Sequence, residues 1–421
     1  MTASAQSALG ILILFFLVWS ISEKRQRVPL TIPIISLGLQ IGLALLLLRA
    51  PLSQHFFSAI NSLVLSIEQA SRQGTSFVFG YLGGDVLPFQ TAGEGSAFVL
   101  AFQALPLIIF LSALTALLNH WNILPRLILA LARLLSVFIP LNGATALACI
   151  ANIFVGMVES PLFIKPYLQQ LSRSDLFIVM TVGMATIAGT VMVIYVGFLN
   201  PVLGDAAAGH LMTASVISIP AAIGVAIMMV PPETLAPSQS GVSPASPHTA
   251  ASSSIDALVT GTQEGLQLCL QIAALLIVFV ALIALFNLML GAVSEGIFGR
   301  PLDLQTILGY LMSPIVWLSG IPWDEAQAAG KLFGTKIVLN EFIALRELGS
   351  LPTDVLSARS ATIMTYALSG FANIGSLGIL IGGLTAMAPA RRAEIIQLAP
   401  KAILSGSVAT LLTGAVIGLV Y

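Results

Sequence analysis

Charge is what this sequence has least of. Only 8% of its 421 residues are Asp, Glu, Lys or Arg, while 57% are hydrophobic; an average soluble domain carries about 25% charge. Seventeen basic and 18 acidic side chains cannot cover the surface of a soluble protein of this length. The mean hydropathy of +0.99 places the chain among polytopic membrane proteins and excludes secreted domains and disorder. A net charge of −1 leaves no basic patch for nucleic acid. Cysteine is nearly absent too. Cys149 and Cys269 sit far apart in apolar runs, which excludes a disulfide framework and a thiolate metal site. There is no HExxH, no Gly-x-Ser-x-Gly elbow, no Walker loop and no Cys/His cluster. His55, His120, His210 and His248 fall near segment ends or in loops. An intramembrane hydrolase needs a buried Ser/His pair or two aspartates, and no apolar segment offers either. Enzyme chemistry is therefore not expected.

What the chain has is apolar length. Strong segments run over 5–21, 30–48, 97–119, 174–200, 209–230, 265–294, 360–386 and 398–420. These exceed the roughly ten alternating residues of a barrel strand, so the class is all-α, with about eight transmembrane helices. No basic residues precede the first segment, and Lys24, Arg25 and Arg27 follow it, so it reads as a retained helix and not a leader. Residues 51–72 are amphipathic and suit a helix at the membrane interface. Residues 231–254 are rich in Pro, Ser and Ala, as a flexible linker is. Two stretches, 123–168 and 303–350, are apolar but interrupted by small and polar residues. Each reads as a re-entrant hairpin, tolerated at membrane depth only where protein or a cavity surrounds it. With the N-terminus outside, ten basic residues fall inside and five outside, the bias cytoplasmic loops carry; eight spans then leave the C-terminus outside as well.

A repeat organises these parts. Glu159 in the first hairpin is followed by GMATIAGT, 183–190; Glu341 in the second is followed by GFANIGSL, 370–377. The glutamates lie 182 residues apart and the leading glycines 187. The near-equality implies one unit of hairpin, broken helix and closing helix, used twice. A single extra span between the units turns the second one over, giving the inverted repeat of many secondary transporters. The corresponding division is 1–120 scaffold and interfacial helices, 121–230 first repeat, 231–260 cytoplasmic linker, 261–300 scaffold helix and 301–421 second repeat.

A carboxylate inside a membrane is costly and points to function. Glu159 and Glu341 are each embedded in an apolar run, at equivalent places in the two repeats. A structural role, capping a hairpin tip or pairing with Lys165 or Lys336, is the alternative. Asn152 and Asn340 lie near these carboxylates, and Thr186, Thr190, Asn373 and Ser376 lie in the following helices. Their amides, hydroxyls and freed backbone carbonyls suit a hard monovalent cation or sugar hydroxyls.

At NIFVGMVESPLFIKPYL, GMATIAGTVM, GTKIVLNEF and ALSGFANIGSLGILIGG the sequence resembles the concentrative nucleoside transporters, in their prokaryotic form, over nearly the whole chain. The resemblance implies a homotrimer in the lipid bilayer of a bacterial inner membrane. It implies import of a nucleoside with sodium, or with a proton, by an elevator-like movement of a transport domain. It implies a sodium site at Asn152, Val155, Thr186 and Ile187. It implies a substrate site with Met157, Val158, Glu159 and Val191 facing the base, Glu341, Asn373 and Ser376 on the ribose side, and Phe371 beside the base. Met157 and Val158 stand where the family pattern has Gln and Thr, so the base side has lost two hydrogen-bonding side chains. Transport of a free nucleobase or modified nucleoside on the same fold, a channel and a receptor are the competing readings.

Overall fold

A computed structural model describes residues 2–49, 51–89, 99–233, 251–299, 301–352 and 354–421. Most of the expected linker, residues 234–250 with His248, lies outside the described residues, as does Arg300. The described residues form helices and no strand. In chain order the helices are α1 (Ala3–Ser20), α2 (Thr31–Arg49), α3 (Pro51–Phe79), α4 (Leu100–Gln103), α5 (Pro106–His120), α6 (Ile123–Phe138), α7 (Gly143–Val155), α8 (Arg173–Ala185), α9 (Gly189–Leu203) and α10 (Ala207–Met229). They continue with α11 (Ser254–Phe298), α12 (Leu304–Trp317), α13 (Ala326–Val338), α14 (Glu341–Ser350), α15 (Ala358–Leu368), α16 (Ile374–Met387) and α17 (Arg392–Val420).

Six described stretches are long and apolar enough to cross a bilayer. One of them, Arg173–Met229, runs 57 residues and folds as α8–α9 and α10, enough for two crossings. α15 and α16 supply another in two short halves. The count of eight expected from hydropathy follows.

Local chemistry sets the element ends. Asn142, Ser172, Ser253, Asp303, Asn340, Ser357 and Asn373 each accept a backbone amide from the first turn of the helix they precede. Gly156 ends α7 at φ +98, where a side chain is strained; an added Cβ would also lie 3.0 Å from Ala188 Cβ and 3.1 Å from Glu159 Oε2. Beyond it, Pro161 and Pro166 hold the second limb of the first hairpin, Ser160–Tyr167, as a tight 3-10 run.

Three expected boundaries shift. Each stretch taken as a hairpin also contains a separate helix before it, α6 and α12. The hairpins themselves are shorter, α7 with Ser160–Tyr167 and α13 with α14. The chain breaks at Pro140–Asn142 and at Gly320–Pro322 separate the two parts. α6 is amphipathic: Leu124, Ile128, Ala132 and Leu135 are buried, while Arg126 and Arg133 are exposed. α11 begins eleven residues before the expected 265 and runs 45 residues, about 68 Å at 1.5 Å per residue.

Packing divides the molecule unevenly. α2 lies on α10, and α17 touches α1, α8, α10 and α15. α5 and α11 pack mainly on each other. Gly261 and Gly265 allow that approach: a Cβ on Gly265 would sit 2.7 Å from Ile109 Cα, and one on Gly261 would sit 2.6 Å from Ala116 Cβ. α14 of the second hairpin lies on α9 of the first repeat, so the two repeats meet at the candidate site.

Candidate functional site

Both broken helices open where the hairpin tips arrive. α8 stops at Ala185 and α9 starts at Gly189; α15 stops at Leu368 and α16 starts at Ile374. The two breaks touch, because a Cβ on Gly370 would lie 2.8 Å from the Ala185 carbonyl oxygen. Between them is a cavity of about 140 Å³, several times what one water needs. All eight sequence-predicted substrate residues line it: Met157, Val158, Glu159, Val191, Glu341, Phe371, Asn373 and Ser376.

Glu341 is 5% exposed and opens α14 directly after the Asn340 cap. Tyr195 of α9 donates its hydroxyl to Glu341 Oε1 at 2.7 Å, and Asn373 Nδ2 donates to Oε2 at 2.9 Å. Asn373 Oδ1 accepts the Ser376 amide at 2.7 Å, so one side chain both caps α16 and holds the carboxylate. A carboxylate offers about four acceptor sites, so these bonds leave it with acceptor capacity. Lys336 is not Glu341's ion-pair partner: its ammonium donates to the Ala367 carbonyl and Thr410 Oγ1, both at 2.8 Å.

On the opposite wall, Met157 packs toward Gly183 and Val158 toward Gly383; Cβ atoms built on those glycines would lie 3.1 Å from Met157 Cβ and 3.0 Å from Val158 Cγ1. The two side chains therefore fill glycine notches and border the cavity at once. Glu159 completes this wall.

The four residues predicted for an ion also converge. Asn152 Nδ2 donates to the Val182 carbonyl at 3.1 Å and makes a short bond to Thr186 Oγ1. Ser160 Oγ reaches Asn152 Oδ1 at 3.4 Å, and Ser215 Oγ reaches the Ile187 carbonyl at 3.4 Å. Val155, at the end of α7, is 6% exposed; Asn152, Thr186 and Ile187 are 1%, 0% and 1% exposed. An amide, a hydroxyl and backbone carbonyls are the oxygen set a hard monovalent cation takes.

Several parts of the site escaped the sequence reading. Tyr195 lies in the apolar run VMVIYVGF, where nothing separates it from packing aromatics. Leu268, Ile272, Leu275 and Phe279 of α11 form an apolar wall. Their i, i+4, i+7, i+11 spacing marks one helix face, but hydropathy alone cannot distinguish that face from lipid-facing residues.

Comparison with known proteins decides what this constellation belongs to. Family profiles described as Na+ dependent nucleoside transporter N-terminus and C-terminus match residues 9–82 and 210–418, and one described as nucleoside recognition matches 101–202. Nucleoside permease NupC of Helicobacter pylori is 34% identical over 99% of this chain and 98% of its own. The chain belongs to the concentrative, Na+-dependent nucleoside transporter family. Sodium/nucleoside cotransporter 1 of Mus musculus is 31% identical across 98% of this transporter but only 63% of its own length. The solved CNTnw, in an inward-facing substrate-bound state, superposes with a TM-score of 0.88 at 32% identity, covering 99% of this transporter and 98% of CNTnw. Members of this family are transporters and not enzymes.

Proposed function

We propose that this transporter imports nucleosides across a bacterial inner membrane, driven by a cation gradient, with Glu341 binding the ribose. The observation that carries the reading is the Tyr195–Glu341–Asn373 arrangement inside the cavity. A carboxylate held by two donors from other helices, with no ion-pair partner among the described residues, retains acceptor capacity at membrane depth. A vicinal diol supplies two adjacent donors and matches it. Met157 and Val158 replace polar readout by apolar contact, so the base is recognised by shape, with Glu159 as its remaining polar neighbour.

Sodium is the coupling ion of this proposal, held by the Asn152 amide, Thr186 hydroxyl and the Val155 and Ile187 carbonyls. The family's name supports it. A proton carried by Glu159 or Glu341 is the competing mechanism. The thin contact of α5 and α11 with the other helices supports these two as a fixed frame, past which the body carrying hairpins and broken helices moves. Away from α5 and the cavity, α11 exposes large apolar side chains, Leu266, Leu270, Ile277, Leu285 and Met289 among them, which suits lipid and partner copies in a homotrimer. Lys24, Arg25, Arg27, Arg173, Arg391 and Lys401 then face the cytoplasm, with both termini outside.

The test is uptake into proteoliposomes of labelled uridine, adenosine, inosine, their deoxy forms and free bases. Accumulation of ribonucleosides with poorer uptake of deoxynucleosides is expected. Glu341→Ala should abolish saturable uptake while size-exclusion behaviour stays that of the parent. Equilibration without accumulation indicates a channel, binding without flux a receptor, and preferred uptake of free bases the nucleobase reading.

A further inference from the structure

The two repeats can be compared at one shared point, where the first limb of each hairpin meets the end of a half-helix. In the first repeat that limb is α7, and its tenth residue, Asn152, donates to the Val182 carbonyl and Thr186 Oγ1 at the end of α8. In the second it is α13, also 13 residues long, and its eleventh residue is Lys336. Lys336 donates to the Ala367 carbonyl at the end of α15 and to Thr410 Oγ1 of α17, both at 2.8 Å. Both closing helices bring a hydroxyl to this point: Ser215 of α10 donates to the Ile187 carbonyl in the first break, and Thr410 of α17 accepts from the Lys336 ammonium.

What surrounds Lys336 is what a cation selects. The side chain is 0% exposed. Its ammonium contacts one carbonyl, one hydroxyl and, at 5.2 Å, the face of Phe333. The Ala367 carbonyl is among the last four of α15, which have no partner within the helix and carry the negative end of its dipole. Among the described residues no carboxylate bonds to it, so this is not an ion pair in the ordinary sense.

We propose that the Lys336 ammonium is a tethered cation, occupying in the second repeat the place that a dissociable cation occupies in the first. The inverted duplication then provides two equivalent cation positions and keeps only one of them exchangeable. The fixed one binds α13 to α15 and α17 whether or not substrate is present. It thereby positions the segment from Phe371 to Asn373, and through Asn373 the Glu341 carboxylate. Lys336 is a positioning residue and touches no substrate. Removing its charge while supplying an oxygen exposes a latent monovalent-cation site formed by the Ala367 carbonyl, the Thr410 hydroxyl and the new side chain. The comparison rests on the sodium reading of the first hairpin, but the test reads the second repeat separately.

The experiment is thermal unfolding of the purified full chain in choline chloride, with and without added sodium, for the parent, Lys336→Gln and Lys336→Met. Both variants are expected to melt roughly 5 °C or more below the parent in choline. Lys336→Gln should regain more from sodium than the parent does; Lys336→Met, which offers no oxygen, should gain no more than the parent. The extra gain should persist when Asn152→Leu is added to Lys336→Gln. A Lys336→Met protein as stable as the parent, or no extra sodium gain in Lys336→Gln, overturns the proposal. If the parent shows no sodium response while Lys336→Gln does, the ion reading of the first hairpin fails and the tethered cation stands. Should neither variant fold, Thr410→Val, of nearly the same size, serves: a lowered melting temperature in choline that sodium leaves unrestored supports the ammonium's role, and parent-like melting contradicts it.

Discussion

At the scale of single residues, the candidate site depends on who holds Glu341. Tyr195 packs edge-on against Phe342 at 6.0 Å between ring centroids and donates to the carboxylate. Tyr195→Phe keeps the ring and removes the donor. A hydrogen bond to a charged group contributes about 1.5–3 kcal/mol, so affinity for ribonucleosides should fall by about tenfold or more. Binding titration of the purified variant checks it; unchanged affinity would show that Asn373 alone suffices. The base side makes the opposite prediction. Met157→Gln with Val158→Thr restores two polar groups bordering the cavity. Each new hydrogen bond should add about 1 kcal/mol, or about fivefold, for pyrimidine nucleosides. Equal transport of uridine and purine nucleosides by the double variant and the parent would exclude these positions from base recognition. Glu159, Glu341, Asn373 and Ser376 stood out in the sequence because polar residues inside apolar runs are conspicuous. Tyr195 did not, because a tyrosine in VMVIYVGF has no local mark; its partner is 146 residues away and only packing of α14 on α9 brings them together.

At the scale of elements, sequence pattern located the breaks better than the boundaries. Polar and small residues interrupting apolar runs marked both hairpins and both broken helices. α6 and α12 went unseparated from the hairpins because helices of 16 and 14 residues look like hairpin limbs when only hydropathy is followed. The start of α11 was hidden because Asp256 and Glu264 dilute its apolar signal, although Ser253 caps it. Electrostatic ties between elements are visible only in three dimensions. Glu23, in the loop between α1 and α2, bonds Arg173 at the start of α8 and Lys401 of α17. The hydrogen bond from Arg173, helped by Lys401, holds the Glu23 carboxyl below its usual range. A depressed carboxyl adds stability above its unfolded-state value and loses it as pH falls through the folded one. Glu23→Gln should therefore lower the melting temperature slightly at pH 7, since such partly exposed pairs contribute about 0.2–1 kcal/mol each. The gap to the parent should close as the pH drops below the ordinary carboxylate range. A gap that persists there would mean that Glu23 acts through packing and not charge.

At the scale of the whole molecule, an inverted duplication surrounds a single cavity. Both repeats deliver a hairpin tip and a broken helix to one cavity, and the long α11 supplies the cavity's apolar wall. α11 packs mainly on α5, so that wall comes from outside the hairpins and broken helices that carry the groups proposed to hold substrate and ion. Substrate and ion would then ride together on the part that moves. The most direct test is accumulation of labelled uridine in proteoliposomes under an inward sodium gradient at fixed pH. The account predicts an internal concentration above the external one, lost when choline replaces sodium and retained when the pH gradient is collapsed. Accumulation that ignores sodium but disappears with the pH gradient would contradict it.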